Sequence, residues 1–353
     1  MYNVVRNREL RARGLNSRAI DDAVDCCLVK LTYGMYSIVR RCGKPAHSRV
    51  ADLITDEAWI AEYAARTANA HRSDFQLKNV LEKLRVSSYP HYSSDDVVCG
   101  VSAAFIHDLP MFGITRPLIH IANPSRRART RLISRTARTI GVEDVVRIGK
   151  MTLTSPVRTS LDLIGSIGEA GAFAAMETVV RRAAFGSEEA ASQAGRIGYP
   201  PDTRELAELE IERQFTPAID RLAAGQKRAR RLIEYAGALS ESYAESRCVY
   251  NLMLLGHTGF HQQVQIFDGR GLLARVDFAD EEAKTILFVD GAAKYAENGQ
   301  QLVQRESSQF NRLIGMGYRI VRFTFSEVMS LEDFATKLYN QAPWMRERAT
   351  RRS

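Results

Sequence analysis

The sequence predicts an α/β protein made of several domains, and three observations support this prediction. Its 353 residues exceed what one hydrophobic core usually organises. Strand-like and helix-like hydrophobic periods alternate between residues 242 and 325. A short helix, helix and hairpin pattern stands near the N-terminus, at residues 7–39.

Composition narrows the class of protein. Hydrophobic residues make up 45% and charged residues 25%, as in ordinary globular proteins. The net charge of +8 favours an anionic partner. No apolar run approaches a bilayer's thickness, and Met1-Tyr2-Asn3 opens no signal-peptide pattern, so we expect a cytoplasmic protein without a membrane partner. The five cysteines, two adjacent and three scattered, predict neither a disulfide framework nor a zinc site.

The N-terminal pattern predicts helices at residues 7–13 and 17–26 and a hairpin at residues 28–39. Helix, turn, helix and hairpin is the outline of a winged helix, whose second helix can enter the DNA major groove. Arg-Gly-Leu-x-Ser at residues 13–17 and Val-x-Leu-x-x-Gly-x-Tyr at residues 29–36 resemble the N-terminal domain of AbiEi-type antitoxins. Relative to that family, the first helix is missing here.

Charge on the second helix leaves two interpretations open. Arg18 is the candidate contact to nucleic acid. Against it stand three aspartates on the same helix, Asp21, Asp22 and Asp25, and acidic side chains oppose binding to phosphates. The segment is either a DNA-reading module or a small scaffold that touches no nucleic acid.

Residues 44–90 are predicted to be helical, and the region after them resembles the second part of the same antitoxin-like proteins. The motifs are Val101–Ala104, His107–Pro110 and Thr154–Leu163, in the family's order. Strands are predicted at residues 117–122 and 145–153. Between them, residues 125–138 hold six arginines and no acid: Arg126, Arg127, Arg129, Arg131, Arg135 and Arg138. Such a run can straddle a phosphate backbone, or it can be a solvated loop.

Residues 168–240 are predicted to be helical and carry a second basic cluster just before the last domain. Its members are Lys227, Arg228, Arg230 and Arg231. They either guide DNA toward that domain or keep a linker helix soluble.

The last domain is predicted to have the element order α-β-β-β-α-β. Ser242 and Glu245 form a capping-box signature at the start of a helix. Strands follow at residues 260–267, 272–278 and 285–289, then a helix at 300–314 and a strand at 319–325. In the second strand, alternation places Leu272, Ala274, Val276 and Phe278 on one face and Arg275 and Asp277 on the other.

Three carboxylates are candidates for a cation site in this domain. Glu245 lies in the first helical turn, Asp277 near the end of the second strand, and Asp290 at the end of the third. If the termini of these elements meet, their oxygens suit Mg²⁺, which can activate water for phosphodiester cleavage. In the plainer interpretation Glu245 is a capping partner, Asp277 an exposed strand residue and Asp290 part of an Asp-Gly turn.

At these residues the chain resembles very-short-patch repair endonucleases, within the restriction-endonuclease-like fold. The shared motifs are Ser-x-x-Glu-Ser, Arg-Val-Asp-Phe, an apolar run ending in Asp-Gly, and Gly-Tyr-x-Ile-Val-Arg-Phe. The resemblance implies Asp277 as principal metal ligand, completed by Glu245 and the carbonyl of Val289. Phe288 stands where many relatives carry glutamate. Lys294 either neutralises phosphate charge or is an ordinary surface lysine.

Together these features predict a DNA-binding regulator, antitoxin-like and with a possible toxin partner, whose nuclease-like domain has lost its chemistry. The alternative is an active Mg²⁺-dependent DNA endonuclease that uses Glu245, Asp277, Asp290 and Lys294. The predicted segments are a truncated winged-helix module (1–43), a helical insert (44–92), an antitoxin-like α+β domain (93–166), a helical linker region (167–240), an endonuclease-like domain (241–342) and a basic tail (343–353).

Overall fold

The computed structural model describes residues 2–68, 75–114, 118–290 and 300–349. The chain divides into two compact units, Met1–Asp162 and Leu163–Ser353. Helices and three open sheets occur together, so the predicted α/β class is confirmed. In the described ranges no helix combines the length and the apolar character needed to cross a bilayer.

The first unit begins with a small antiparallel sheet in the order β1-β3-β2. Its elements are β1 (Val4–Arg6), α1 (Asn7–Ala12), α2 (Ser17–Val24), β2 (Leu28–Thr32) and β3 (Met35–Ile38). The Asn16 side chain caps α2 by accepting a hydrogen bond from the Ala19 amide at 2.9 Å. Strand β1 was not predicted, because three residues are too few to show a hydrophobic period.

A helical segment, predicted at residues 44–90, packs against this sheet. It consists of a 3₁₀ helix (Ser48–Leu53), α3 (Glu57–Ala68) and α4 (Phe75–Ser87). Trp59 of α3 is buried beside Leu31 and Val39, and its indole N–H donates a hydrogen bond to Ser37 Oγ at 3.0 Å. That buried hydrogen bond fixes the helix to strand β3.

The rest of the first unit is a six-stranded mixed sheet in the order β6-β7-β5-β4-β9-β8. Its elements are β4 (Val97–Val98), α5 (Gly100–Ile106), β5 (Ile119–Asn123), β6 (Ala128–Arg129), β7 (Ile133–Ala137), β8 (Val145–Ile148), β9 (Met151–Thr154) and α6 (Pro156–Ser166). The predicted strand at residues 145–153 is a hairpin that turns at Gly149, where φ is 58°. The arginine-rich segment contains two strands, because β7 pairs in parallel with β5.

The second unit starts with helices, as predicted. They are α7 (Glu169–Phe185), α8 (Glu188–Ile197), α9 (Thr203–Glu210), a π-helical turn (Ile211–Phe215), α10 (Thr216–Asp220) and α11 (Gln226–Ile233). Helix α7 is almost wholly buried and packs against the helix at residues 243–255. It therefore supports the first helix of the C-terminal domain.

The C-terminal domain has the predicted element order. Its elements are α12 (Tyr243–Leu255), β10 (His261–Asp268), β11 (Gly271–Asp280), β12 (Thr285–Val289), α13 (Gln300–Gly315) and β13 (Arg319–Phe323), followed by α14 (Phe325–Met329), α15 (Leu331–Gln341) and α16 (Met345–Arg348). The sheet order is β10-β11-β12-β13, antiparallel except for the parallel pair β12 and β13. Parallel pairing places the C-terminal ends of β12 and β13 at the same edge.

The predicted faces of β11 are wrong. Val276 packs with Leu313 of α13, whereas Phe278 packs with Cys248 of α12, and Leu272 is exposed. Simple alternation fails at two points where the neighbouring strand β10 is irregular. Gln263 has a φ of 56° and is missing from the ladder that joins the two strands, and the register shifts between Ile266 and Phe267, opposite Leu272.

Candidate functional site

Glu245 lies in the first turn of α12 and makes the predicted capping contact with Ser242. Ser242 caps the helix, since its Oγ accepts a hydrogen bond from the Glu245 amide at 3.2 Å. The Ser242 hydroxyl also donates to Glu245 Oε1 at 3.0 Å. The second oxygen, Oε2, accepts from the Glu241 amide at 2.9 Å and from Gln263 Nε2 at 3.1 Å. The capping carboxylate therefore points inward, and its side chain is buried.

The environment of Glu245 is electrostatically unfavourable for a carboxylate. Burial, and next the negative charge of Asp277, raise the pKa of Glu245 to about 7. Hydrogen bonds from Glu241 and Ser242 oppose that rise. The two acids are therefore close enough to influence each other, as the sequence motifs implied. Perturbed pairs of this kind are concentrated at functional sites.

Asp277 contacts the end of β12 through its side chain. Its Oδ2 accepts a hydrogen bond from the Val289 amide at 2.8 Å. The backbone pairing of β11 with β12 covers Asp280 to Phe278. The hydrogen bond from the Val289 amide to the Asp277 carboxylate therefore extends the contact between the two strands beyond the last backbone pair. The contact from Val289 is thus made by its N–H, whereas the resemblance implied a role for its carbonyl.

Asp290 follows β12 and is tied to β13. Its amide donates to the Phe323 carbonyl at 2.8 Å, and its Oδ1 accepts from Arg322 Nε at 3.0 Å. The Asp290 side chain is buried, whereas the Arg322 side chain is 41% exposed, so this charge-assisted contact is open to water on one side. Lys294, the fourth predicted catalytic residue, lies outside the described residues.

The residues present do not fit a catalytic magnesium centre as they are arranged. The Phe288 side chain offers no oxygen, and its ring packs edge-on against Phe310 with centroids 5.3 Å apart. Asp290 is paired with Arg322, and Glu245 accepts three hydrogen bonds. Within the described residues, these three acids do not form a group whose ligand atoms all lie within 4.8 Å.

A further buried acid, which the sequence analysis missed, lies on α7. Glu177 Oε2 accepts a hydrogen bond from Ser240 Oγ at 2.7 Å, and Oε1 accepts from the Gly237 amide at 3.3 Å. Burial raises the pKa of Glu177 to about 7. Its position inside the apolar run Gly171–Val180 was the available signal, because a lone glutamate in such a run must be buried.

The buried thiol of Cys248 shares its surroundings with these acids. Burial raises its pKa well above the ordinary value, and the charges of Asp277, Glu245 and Glu177 add to that effect. The thiol is consequently kept protonated and unreactive. It packs as a small apolar group in the core under α12.

Four arginines of the arginine-rich segment are exposed along the edge of the six-stranded sheet. They are Arg126, Arg127, Arg129 and Arg131. None of them forms an ion pair with another residue in the described parts of the chain. The other two members of the run differ, because Arg135 bonds to buried Asp96 and Arg138 to Asp162. The basic surface is therefore smaller than the sequence suggested.

In the second basic cluster, on α11, two of the four basic side chains are in ion pairs. Arg230 pairs with Asp220, and Arg231 with Glu169. Lys227 and Arg228 are exposed, and neither forms an ion pair with a described residue. On α2, Arg18 is exposed together with Asp21, Asp22 and Asp25, so that surface is net acidic.

The cysteine spacing indicated neither a disulfide framework nor a zinc site, yet the structure brings three of the cysteines together with a histidine. Cys26, Cys27, Cys42 and His47 place their ligand atoms within 4.8 Å of one another. The signal was the spacing Cys-Cys, fourteen residues, Cys, four residues, His, which was hidden because the first two cysteines are adjacent.

No protein family, curated protein or solved structure matches this chain. The resemblances to AbiEi-type antitoxins and to very-short-patch repair endonucleases therefore stay predictions. The function is inferred from geometry and charge.

Proposed function

We propose that this protein binds DNA, with contacts supplied by Arg126, Arg127, Arg129 and Arg131. The observation that carries the proposal is the group of four exposed guanidinium groups within six residues, none of which is in an ion pair with another described residue. The net charge of +8 adds a general attraction for a polyanion.

The position of these arginines suits contact with a phosphate backbone. Strand β6 is the outermost strand of its sheet, and Arg129 lies on it. Arg126 and Arg127 precede the strand, in a turn that is closed by the Asn123 side chain, whose Oδ1 accepts hydrogen bonds from the amides of Ser125 and Arg126. A short, rigidly anchored turn presents the guanidinium groups at low entropic cost. Contacts of this kind fix register on a duplex and carry no sequence information.

A structural role for the same arginines is the competing explanation. Charged side chains on an edge strand prevent another chain from pairing with it. In that case loss of the charges would cause association of the protein and would leave DNA binding unchanged. Measuring both properties on one variant separates the two roles.

The N-terminal module supports the same class of function. Its two helices and the hairpin that follows them are the elements on which the winged-helix resemblance rests. The exposed acids on α2 disfavour reading of DNA by that helix. We therefore assign the main DNA contact to Arg126, Arg127, Arg129 and Arg131. As an extension of the proposal, we infer an antitoxin-like regulatory role with a toxin partner.

We infer that the C-terminal domain acts as a nuclease-like scaffold without cleavage. The Phe288 ring, the Asp290–Arg322 ion pair and the hydrogen-bonded Glu245 support this inference. The alternative, a Mg²⁺-dependent DNA endonuclease, is favoured by one observation. Asp277 lies near enough to raise the pKa of Glu245, and a divalent cation would relieve the repulsion between two ionised acids.

A plasmid-nicking assay separates these two functions. The native chain and Asp277→Ala are incubated with supercoiled plasmid and Mg²⁺ or Mn²⁺, and binding to a labelled duplex is measured in parallel at several salt concentrations. The proposal expects binding that weakens with salt and no nicking by either protein. Nicking by the native chain that Asp277→Ala abolishes would establish the endonuclease instead. Absence of any duplex binding would contradict both.

A further inference from the structure

Three thiols and one imidazole converge in the N-terminal module. The distance from Cys26 Sγ to Cys42 Sγ is 3.5 Å, and the distance from Cys27 Sγ to His47 Nδ1 is also 3.5 Å. All four ligand atoms lie within 4.8 Å of one another. Cys27 is 0% exposed and His47 is 2% exposed, so water is largely excluded from one half of the group.

The backbone holds both arms of the group in place. Helix α2 ends sharply before the first arm, where the amides of Cys26 and Cys27 both bond to the Ala23 carbonyl, at 3.1 and 2.8 Å. The Cys27 carbonyl in turn accepts a hydrogen bond from the Val39 amide at 2.9 Å. The first arm is therefore fixed to both α2 and the strand that leads to the second arm.

The second arm is a tight turn that directs its two ligands inward. The Lys44 amide donates to Cys42 Sγ at 3.4 Å, and the His47 amide donates to the Lys44 carbonyl at 3.1 Å. An N–H aimed at a sulfur stabilises the thiolate form, which is the form that binds a metal. His47 then begins the 3₁₀ helix that follows.

Two of the six separations, 3.5 Å for Cys26–Cys42 and 3.5 Å for Cys27–His47, lie within about 0.3 Å of the edges of a tetrahedral zinc site. With Zn–S near 2.3 Å and Zn–N near 2.0 Å, tetrahedral angles give ~3.8 Å between two sulfurs and ~3.5 Å between sulfur and nitrogen. Three cysteines and one histidine are among the usual ligand sets of structural zinc sites. Since all four positions are filled by protein, no position remains for a substrate or a catalytic water.

We propose that Cys26, Cys27, Cys42 and His47 bind one structural Zn²⁺ ion. The ion would link the end of α2 to the segment after β3 and so clamp the N-terminal module. A module this small has a limited core, and a metal clamp is a common means of stabilising one. A Cys26–Cys42 disulfide is the rival arrangement, and it would leave Cys27 and His47 without a common role.

Metal analysis of the full chain tests the proposal without using DNA binding. The protein is purified under reducing conditions, stripped with a chelator, reloaded with Zn²⁺ or Co²⁺ and desalted. We expect about one metal ion per chain. With Co²⁺ we expect the visible absorption bands of a tetrahedral ion, together with charge-transfer absorption from its thiolate ligands. We also expect a higher melting temperature with metal than without.

Substitution of single cysteines tests which residues bind the metal ion. Cys42→Ser should lower metal affinity by on the order of a hundredfold or more, and Cys26→Ser should do the same. Cys99→Ser, a change at a buried cysteine outside the group, should leave stoichiometry and the cobalt spectrum unchanged. If a variant does not fold, the cobalt spectrum of the native chain still decides. No metal uptake by the reduced native chain, or a Cys26–Cys42 disulfide in place of uptake, would overturn the proposal.

Discussion

Arg135 binds the carboxylate of Asp96 through two parallel hydrogen bonds, Nε to Oδ1 at 2.9 Å and Nη2 to Oδ2 at 2.5 Å. The Asp96 side chain is 0% exposed and also accepts a hydrogen bond from Asn123 Nδ2 at 2.8 Å. This network joins β7 to the segment before β4 and anchors the turn from which the exposed arginines project. Arg135, an arginine of the same run, therefore stabilises the turn that carries the proposed DNA surface.

Loss of Arg135 is predicted to destabilise the first unit strongly. Arg135→Ala would leave the buried Asp96 charge without its main partner, which typically costs about 3–5 kcal/mol of unfolding free energy. Arg131→Ala removes an exposed arginine of the same segment and should change that free energy by less than about 0.5 kcal/mol. Denaturant unfolding of both variants checks this. Equal stabilities would show that the ion pair is not structural.

The pH dependence of stability is predicted to reflect Glu177. Its folded-state pKa of about 7 lies above the ordinary value of 4.5, so between these values the folded chain binds more protons than the unfolded chain. The unfolding free energy should therefore fall as pH rises through this window, by on the order of 3 kcal/mol for this group. Glu245 contributes in the same direction.

Glu177→Gln should remove part of that fall, because the amide cannot ionise and keeps one acceptor oxygen for Ser240 or Gly237. Glu281→Gln, at an exposed position, is the matched control and should reproduce the native profile. The measurement is denaturant unfolding at pH 5 and pH 8. A native profile from Glu177→Gln would refute the assignment.

The charge of Asp277 is predicted to act directly on Glu245. Asp277→Asn removes a like charge, so the pKa of Glu245 should fall from about 7 while burial keeps it above its ordinary value. Carboxyl carbon NMR titration measures the change. Asp268→Asn, five residues beyond Gln263 and so roughly 17 Å along β10, should leave the titration unchanged. An unshifted Glu245 in Asp277→Asn would mean that the two acids are not coupled.

Much of the fold followed from hydrophobic period and turn chemistry. The four strands and the two helices predicted for the C-terminal domain could be placed because their core residues alternate or recur at helical spacing. Strands β6 and β7 could not be placed, since most of their side chains are polar and the pairing with β5 is set by tertiary structure. The predicted faces of β11 are wrong for local reasons, the irregular backbone at Gln263 and the register shift after Ile266.

The candidate sites were predictable only where a side chain's partner is close in sequence. The capping contact between Ser242 and Glu245 spans three residues and was predicted. The pairing of Arg135 with Asp96 spans 39 residues, and nothing local reveals that it removes an arginine from the basic surface. The contact from Asp290 to Arg322 is hidden in the same way.

The most direct test of the account compares two quadruple variants that both lower the net charge from +8 to +4. One replaces Arg126, Arg127, Arg129 and Arg131 with alanine, and the other replaces Arg8, Arg147, Lys150 and Arg270, which are exposed elsewhere. The measurement is the affinity for a labelled DNA duplex across a salt series, with the oligomeric state monitored in parallel.

We predict that the first variant binds at least about tenfold more weakly at low salt and loses about 3.6 from the slope of log affinity against log salt, as four lost phosphate contacts require. The second variant should stay close to the native chain. Equal effects of the two variants, or native binding by the first, would contradict the proposed DNA surface.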